Sequence, residues 1–227
     1  QSDYNFAINH SIGLKKNMHI IHNGTKDKFG KNFCKIKKSK NDTFFLISIS
    51  RMSEPKDPFT LINALAILKN ENWVLNFIGD GIFLSEIKLL AEKRGISQKI
   101  SFKGAQKNVY KDLARSDIFI LCSKSEGFPR SIIEAMQASL PVIASNVGGV
   151  SEAVSSGING ELIDSNNPEE LSFKIKQFLE DPKKVFKFGK QSRRKYEKYY
   201  TIENMFEQTE KIYAVCKNKN KWFLFKW

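Results

Sequence analysis

From residue 44 onward, short apolar runs alternate with stretches of helical spacing, and this alternation governs the fold. "FFLISIS" (44–50), "WVLNFIG" (73–79), "KISFKG" (99–104), "DIFILCS" (117–123), "PVIAS" (141–145) and "ELIDS" (161–165) are all of strand length. Between them Leu61, Leu65 and Leu68, then Leu84, Ile87, Leu90 and Ala91, recur at helical spacing. "NVYKDLARS" (108–116), the run after "EGFP" and a short piece after Gly148-Gly149 supply further helices. Continuously apolar strands separated by helices imply a parallel sheet covered on both faces. With right-handed crossovers this is an α/β, Rossmann-like doubly wound sheet of about six strands, with helices following at its C-terminal end. Its ligands are expected where the strand C-termini open into loops.

The flanks read differently. Residues 1–43 are polar and lysine-rich, with one strand-like piece, "MHIIHNG" (18–24), expected at a sheet edge. On a strand His19 and His22 would face opposite sides, so they cannot share an ion, and no metal site is expected. Pro168, Glu169 and Glu170 mark a helix start, and 182–216 reads as two helices, the second capped by Thr201. No segment nears the 18 apolar residues of a membrane span. Cys34, Cys122 and Cys216 lie far apart without a CxxC pair, which fits free thiols and a cytoplasmic setting.

The formal net charge of +13 favours anionic partners. Lys183, Lys184, Lys187, Lys190, Arg193, Arg194, Lys195 and Lys198 form one run, and no acid follows Glu210. The run matches no nucleic-acid module, so nucleic acid is not the expected partner. Trp222, Phe223, Phe225 and Trp227 among lysines suit either a membrane interface or a second lobe.

Nucleotide chemistry narrows by exclusion. The loop after the first strand, "SISRMSEPKD" (48–57), has no glycine, and Gly79-Asp80-Gly81 lacks the third member of a dinucleotide fingerprint and reads as a turn. No GxxxxGK[ST] occurs. That first loop offers Arg51 and Lys56, cations able to clamp a pyrophosphate. Taken alone, the plainer reading is two surface cations among 37. In "SKSEGFPRSIIEAM" (123–136) Glu126 falls on the same sheet edge. Pro129 is expected as the first helical residue, leaving the N–H groups of Arg130 and Ser131 free for a phosphate. Ile132, Ile133 and Met136 share the packing face. Glu134 lies roughly opposite, beside Arg130, and without context would be a surface salt-bridge partner.

Seven segments in order then resemble the retaining, GT-B-fold group 1 glycosyltransferases, which include glycogen and sucrose synthases. They are "HNG" (22–24), "SRMSEPKD" (50–57), "FIGDG" (77–81), "ISFKG" (100–104), "EGFPRSIIEAM" (126–136), "PVIASNVGGVSEAV" (141–154) and "NGELI" (159–163). The resemblance implies that this is the donor-binding lobe. Arg51 and Lys56 would hold the diphosphate, and Glu126 with Gly127, Phe128 and Pro129 would contact the donor sugar. Arg130 and Ser131 amides would take the distal phosphate, Glu134 the ribose hydroxyls, and the Val109 backbone the base. No cofactor is implied, the nucleotide sugar being a substrate. The implied reaction is metal-independent transfer of a hexosyl unit from a UDP-sugar, with same-face attack. Its acceptor would be a polysaccharide, lipopolysaccharide or lipid-linked glycan. The resemblance also implies that 1–22 is a remnant of a preceding lobe, 23–181 the donor domain and 182–227 terminal helices with a basic-aromatic tail. The family's usual glycines are replaced by Ser50 before Arg51 and by Ser139-Leu140 before "PV". A non-catalytic nucleotide-sugar module and a GT-B-fold epimerase are the alternatives.

Overall fold

The computed structural model of the chain describes residues 2–10, 12, 18–31, 33, 35 and 37–224. Of the residues singled out above, Cys34, Phe225 and Trp227 lie outside the described ones. Six parallel strands, β1 (Phe44–Ile49), β2 (Trp73–Ile78), β3 (Ile100–Phe102), β4 (Ile118–Leu121), β5 (Val142–Ser145) and β6 (Gly160–Ile163), form one sheet in the order β3-β2-β1-β4-β5-β6. The helices around it are α1 (Ser2–Asn9), α2 (Pro58–Ile67), α3 (Leu84–Lys93), α4 (Tyr110–Arg115), α5 (Arg130–Gln137), α6 (Val150–Ala153), α7 (Pro168–Glu180), α8 (Pro182–Tyr199) and α9 (Ile202–Leu224). This is the expected doubly wound architecture.

The period of two in each strand divides the core between the sheet faces. Phe44 and Leu46 of β1, with Ile118 and Ile120 of β4, join one cluster with Leu61 and Leu65 of α2, Ile87 of α3 and Phe178 of α7. Ile47, Phe119 and Leu121 join the other with Leu113 of α4, Ile132, Ile133 and Met136 of α5, and Val150 of α6. Both faces are therefore dry, which is why the strands read as unbroken apolar runs.

Strand β1 pairs with β2 on one side and β4 on the other. The chain moves outward from β1 to β3, then returns to β4. Loops leaving β1 and β4 consequently diverge to opposite faces, and a crevice opens between them at the carboxyl edge.

Two sequence expectations are corrected. "MHIIHNG" is not a strand: residues 18–24 carry no regular structure, and the pairing nearby is a bridge between Thr25 and Thr201. Thr25 N–H donates to Tyr200 O (3.0 Å) and Ile202 N–H donates to Thr25 O (3.1 Å), so the segment pairs with the α8–α9 junction instead of a sheet edge. Pro129 is the residue before α5, extended at φ −73° and ψ 119°, and the helix begins at Arg130. Thr201 caps α9 as expected, its Oγ1 accepting from Asn204 N–H at 3.2 Å.

The basic run divides by helical face. On the inner side of α8, Lys184 pairs with Glu161 (3.1 Å). The buried Arg193 donates to Asp27 Oδ1 (3.0 Å), Gln137 O (2.8 Å), Gly30 O (3.0 Å) and Glu197 Oε1 (2.8 Å). Lys183, Lys190, Arg194 and Lys198 remain exposed. Part of the charge is thus structural, locking residues 25–30 against α5 and α8.

Candidate functional site

The loops after β1 and β4 are stitched together across the crevice. Lys56 Nζ lies 2.7 Å from Glu126 Oε2, and Ser123 Oγ donates to Glu126 Oε1 at 2.7 Å. The Glu126 side chain is only 6% exposed, so this desolvated carboxylate has both oxygens satisfied. Lys124 N–H donates to Pro55 O (2.9 Å), and Lys124 Nζ reaches Glu54 at 3.3 Å. Arg51 is exposed at the end of β1 and makes no ion pair among the described residues.

Glycines let neighbouring loops press on these two. Gly79, the first glycine of the sequence's lone GxG, has φ +144°; a Cβ there would lie 2.9 Å from the Ser50 carbonyl carbon and closer to its oxygen. The motif is a packing device under the Arg51 loop, made firm by Met52 N–H donating to Asp80 O (2.9 Å). Gly148, at φ +54°, packs likewise against the Glu126 carbonyl, and Gly149 N–H donates to Gly127 O at 2.8 Å. Gly127 differs: it is exposed, and nothing lies within 4 Å of a Cβ built on it. The fold leaves that side open.

Arg130 and Ser131 occupy the first turn of α5, where backbone N–H groups have no intrahelical acceptor. Arg130 is exposed and Ser131 half-buried. Glu134 is half-buried, not a plain surface acid; burial pushes its carboxyl pKa up, while the Arg130 charge opposes the rise. Tyr110, which follows Val109 at the start of α4, feels the same pair: burial and the Glu134 charge raise its hydroxyl pKa, and Arg130 lowers it. Val109 is 8% exposed and positions that first residue of α4. Val109 thus stands one residue before the tyrosine whose hydroxyl feels the Arg130 and Glu134 charges. Phe128 turns its ring onto His22 (5.0 Å between centroids) and Tyr200 (5.4 Å).

Sequence reasoning does not single out Ser123, Tyr110 or His22 as site residues. Ser123 has a readable signal, a hydroxyl three residues before Glu126; Tyr110 and His22 are brought in by tertiary packing alone. Among the described residues no group of three or more His, Cys, Asp or Glu is placed to hold a metal ion, and no helix is long and apolar enough to cross a membrane.

A family profile described as glycosyl transferases group 1 matches residues 31–195, most of the chain. The chain belongs to the group 1 glycosyltransferases. A curated relative, N-acetyl-alpha-D-glucosaminyl L-malate synthase of Bacillus anthracis, is 27% identical over 227 residues, covering 94% of this chain and 60% of that protein. The putative glycosyltransferase EpsD of Bacillus subtilis is 28% identical over 171 residues, covering 73% of this chain and 45% of EpsD. This group 1 glycosyltransferase thus spans about three-fifths or less of the length of those relatives. Among solved structures, HepE of Anabaena in complex with UDP and glucose superposes with a TM-score of 0.81 at 23% identity, over 92% of this chain and 60% of HepE. A glycosyltransferase of Rickettsia africae gives 0.80 at 22% identity, over 93% and 61%. These likenesses show that the group 1 glycosyltransferase here has their fold.

Proposed function

We propose that the chain binds a nucleotide-diphosphate sugar, with uridine as its base, in the β1/β4 crevice. Working with a preceding lobe, of which residues 1–22 are the last part, it transfers the hexosyl unit with retention and without a metal. The acceptor is a polysaccharide, lipopolysaccharide or lipid-linked glycan at the cytoplasmic side of a membrane. The observation that carries the reading is the Lys56–Glu126 pair, joining the two loops that flank the crevice, with the exposed Arg51 on the first of them. Support for uridine comes from HepE, solved with UDP and glucose.

The chemistry follows from where charge develops. Breaking the anomeric C–O bond leaves oxocarbenium character on the sugar and negative charge on the diphosphate. Arg51, Lys56 and the first amides of α5 are cations and dipoles set at that charge before it forms. Losing one such contact costs on the order of 3 kcal/mol, about a hundredfold in rate. When the diphosphate takes Lys56, Glu126 gains the sugar hydroxyls as donors, so the exchange leaves neither buried charge unpaired. Glu134 accepts both ribose hydroxyls, and the Val109 backbone meets the base.

Calorimetry of the chain against UDP-, GDP- and ADP-sugars tests the reading, repeated with Glu134→Ala. UDP-sugar binding that weakens in the variant supports it; binding unchanged by the substitution contradicts the ribose assignment. On its own the chain should transfer little or no sugar, and turnover at ordinary enzymatic rates would refute its dependence on a preceding lobe.

A further inference from the structure

The loop Glu126–Pro129 is backed by residues far away in sequence. The His22 ring packs on Phe128 and meets Tyr200 edge to face at 5.8 Å. His22 Nε2 lies 2.7 Å from Glu152 Oε2. An ionised carboxylate only accepts, so Nε2 carries the hydrogen, and the bond fixes the plane of the ring that Phe128 rests on. Glu152 lies in α6, and its backbone oxygen accepts from the Tyr200 hydroxyl at 2.9 Å. Just before that helix, Gly149 N–H holds Gly127 O. One assembly thus grips the loop twice, by the Phe128 side chain and by the Gly127 backbone.

We infer that His22 and Glu152 are positioning residues for the donor sugar, holding Gly127 and Phe128 where the sugar ring is read. The inference rests on the donor reading above. Core packing alone does not account for the pair: His22 is 31% exposed and Glu152 18%, and two apolar side chains would fill the same space without a polar bond to satisfy. A directional hydrogen bond serves a loop that has no strand partners of its own. The pair bears on Gly127 and Phe128, one step before the α5 amides. It touches the sugar loop, whereas Arg51 follows β1 and Glu134 lies in α5. The Arg130 and Ser131 amides are held by the α5 helix itself, so loss of the pair should be felt by the sugar before the nucleotide.

The experiment compares dissociation constants for UDP with those for UDP-glucose, UDP-galactose and UDP-N-acetylglucosamine, in the wild-type chain and in His22→Ala, Glu152→Ala and Glu152→Gln. The readout is the affinity ratio of the tightest UDP-sugar to UDP. We expect UDP affinity to hold within about twofold in every variant, and the ratio to fall by about fivefold or more in both alanine variants. In Glu152→Gln the new amide oxygen still accepts from His22 Nε2, so this variant should keep most of the ratio. Folding is checked by thermal melts; if Glu152→Ala does not fold, His22→Ala makes the same comparison from outside the sheet. Equal losses for UDP and UDP-sugars, or an unchanged ratio in folded variants, overturn the inference, as does a wild-type ratio near one for all three sugars. Failure of the wild-type chain to bind UDP overturns the donor reading itself, and this inference with it.

Discussion

Gly148→Ala should damage both stability and donor binding, and the size of the effect can be worked from the geometry. Gly148 has φ +54°, a left-handed conformation that costs alanine about 1–2 kcal/mol. The added Cβ would stand 2.8 Å from the Glu126 carbonyl carbon and nearer still to its oxygen. Ordinary carbon–carbon contact lies at about 3.5 Å, so that carbon must retreat by roughly 0.7 Å and the oxygen by more. Together these place the destabilisation at about 2–4 kcal/mol. A displacement near 1 Å in a positioning element can cost about a hundredfold in function, so UDP-sugar affinity should fall by at least about tenfold. Gly127→Ala is the matched control. Its Cβ enters open space and its φ is not left-handed, so urea denaturation should move by less than about 0.5 kcal/mol. The same variant should weaken UDP-sugar more than UDP, because the methyl meets only the ligand. Urea denaturation and calorimetry on both variants decide the matter. Wild-type stability and wild-type UDP-sugar affinity in Gly148→Ala would show that the Gly148–Glu126 contact does not hold the loop in place.

Further outcomes follow from the same crevice. Glu134 has a raised carboxyl pKa, so the folded chain holds that proton more tightly than the unfolded one, whose value is about 4.3. Its contribution is present below that value and lost as pH rises through the folded pKa. Glu134→Gln should therefore be more stable than wild type at neutral pH, equal to it at pH values below the unfolded pKa, and weaker for UDP; pH-resolved urea melts and calorimetry measure this. Lys56→Met leaves the nearly buried Glu126 with only Ser123, and should cost about 1–3 kcal/mol, less when combined with Glu126→Gln. A double-mutant cycle with no coupling would contradict the pairing. Burial raises the Cys122 thiol pKa well above its ordinary value. In a chain carrying Cys34→Ser and Cys216→Ser, Cys122 should resist a thiol reagent until urea unfolds the protein.

The sheet is legible in the sequence because its physics is local. Leu46 and Ile47 serve opposite faces of one strand, so the apolar runs advertise a strand dry on both sides. The same logic fails at "MHIIHNG", where the neighbouring Thr25 anchors the segment to the α8–α9 junction, a tertiary partner no window of residues contains. Gly79-Asp80-Gly81 reads as a turn, without showing why it needs glycine: its glycines answer the Ser50 and Met52 carbonyls of another loop. For the crevice, the resemblance to the group 1 family names Arg51, Lys56, Glu126 and Glu134, yet not that Lys56 closes on Glu126 or that Glu134 is half-buried. Those facts arise from strands that are distant in sequence and adjacent in the sheet. The basic run shows the same limit, since only packing separates the buried Arg193 from the exposed Arg194.

Amide NMR of a nitrogen-15-labelled chain titrated with UDP reads directly where the nucleotide sits. Binding in the β1/β4 crevice gives saturable shifts at Arg130, Ser131 and Glu134 of α5, at Val109 and Tyr110, and at Arg51 and Lys56, with α8 unmoved. Shifts confined to the exposed lysines of α8, or to the opposite edge of the sheet, would contradict it.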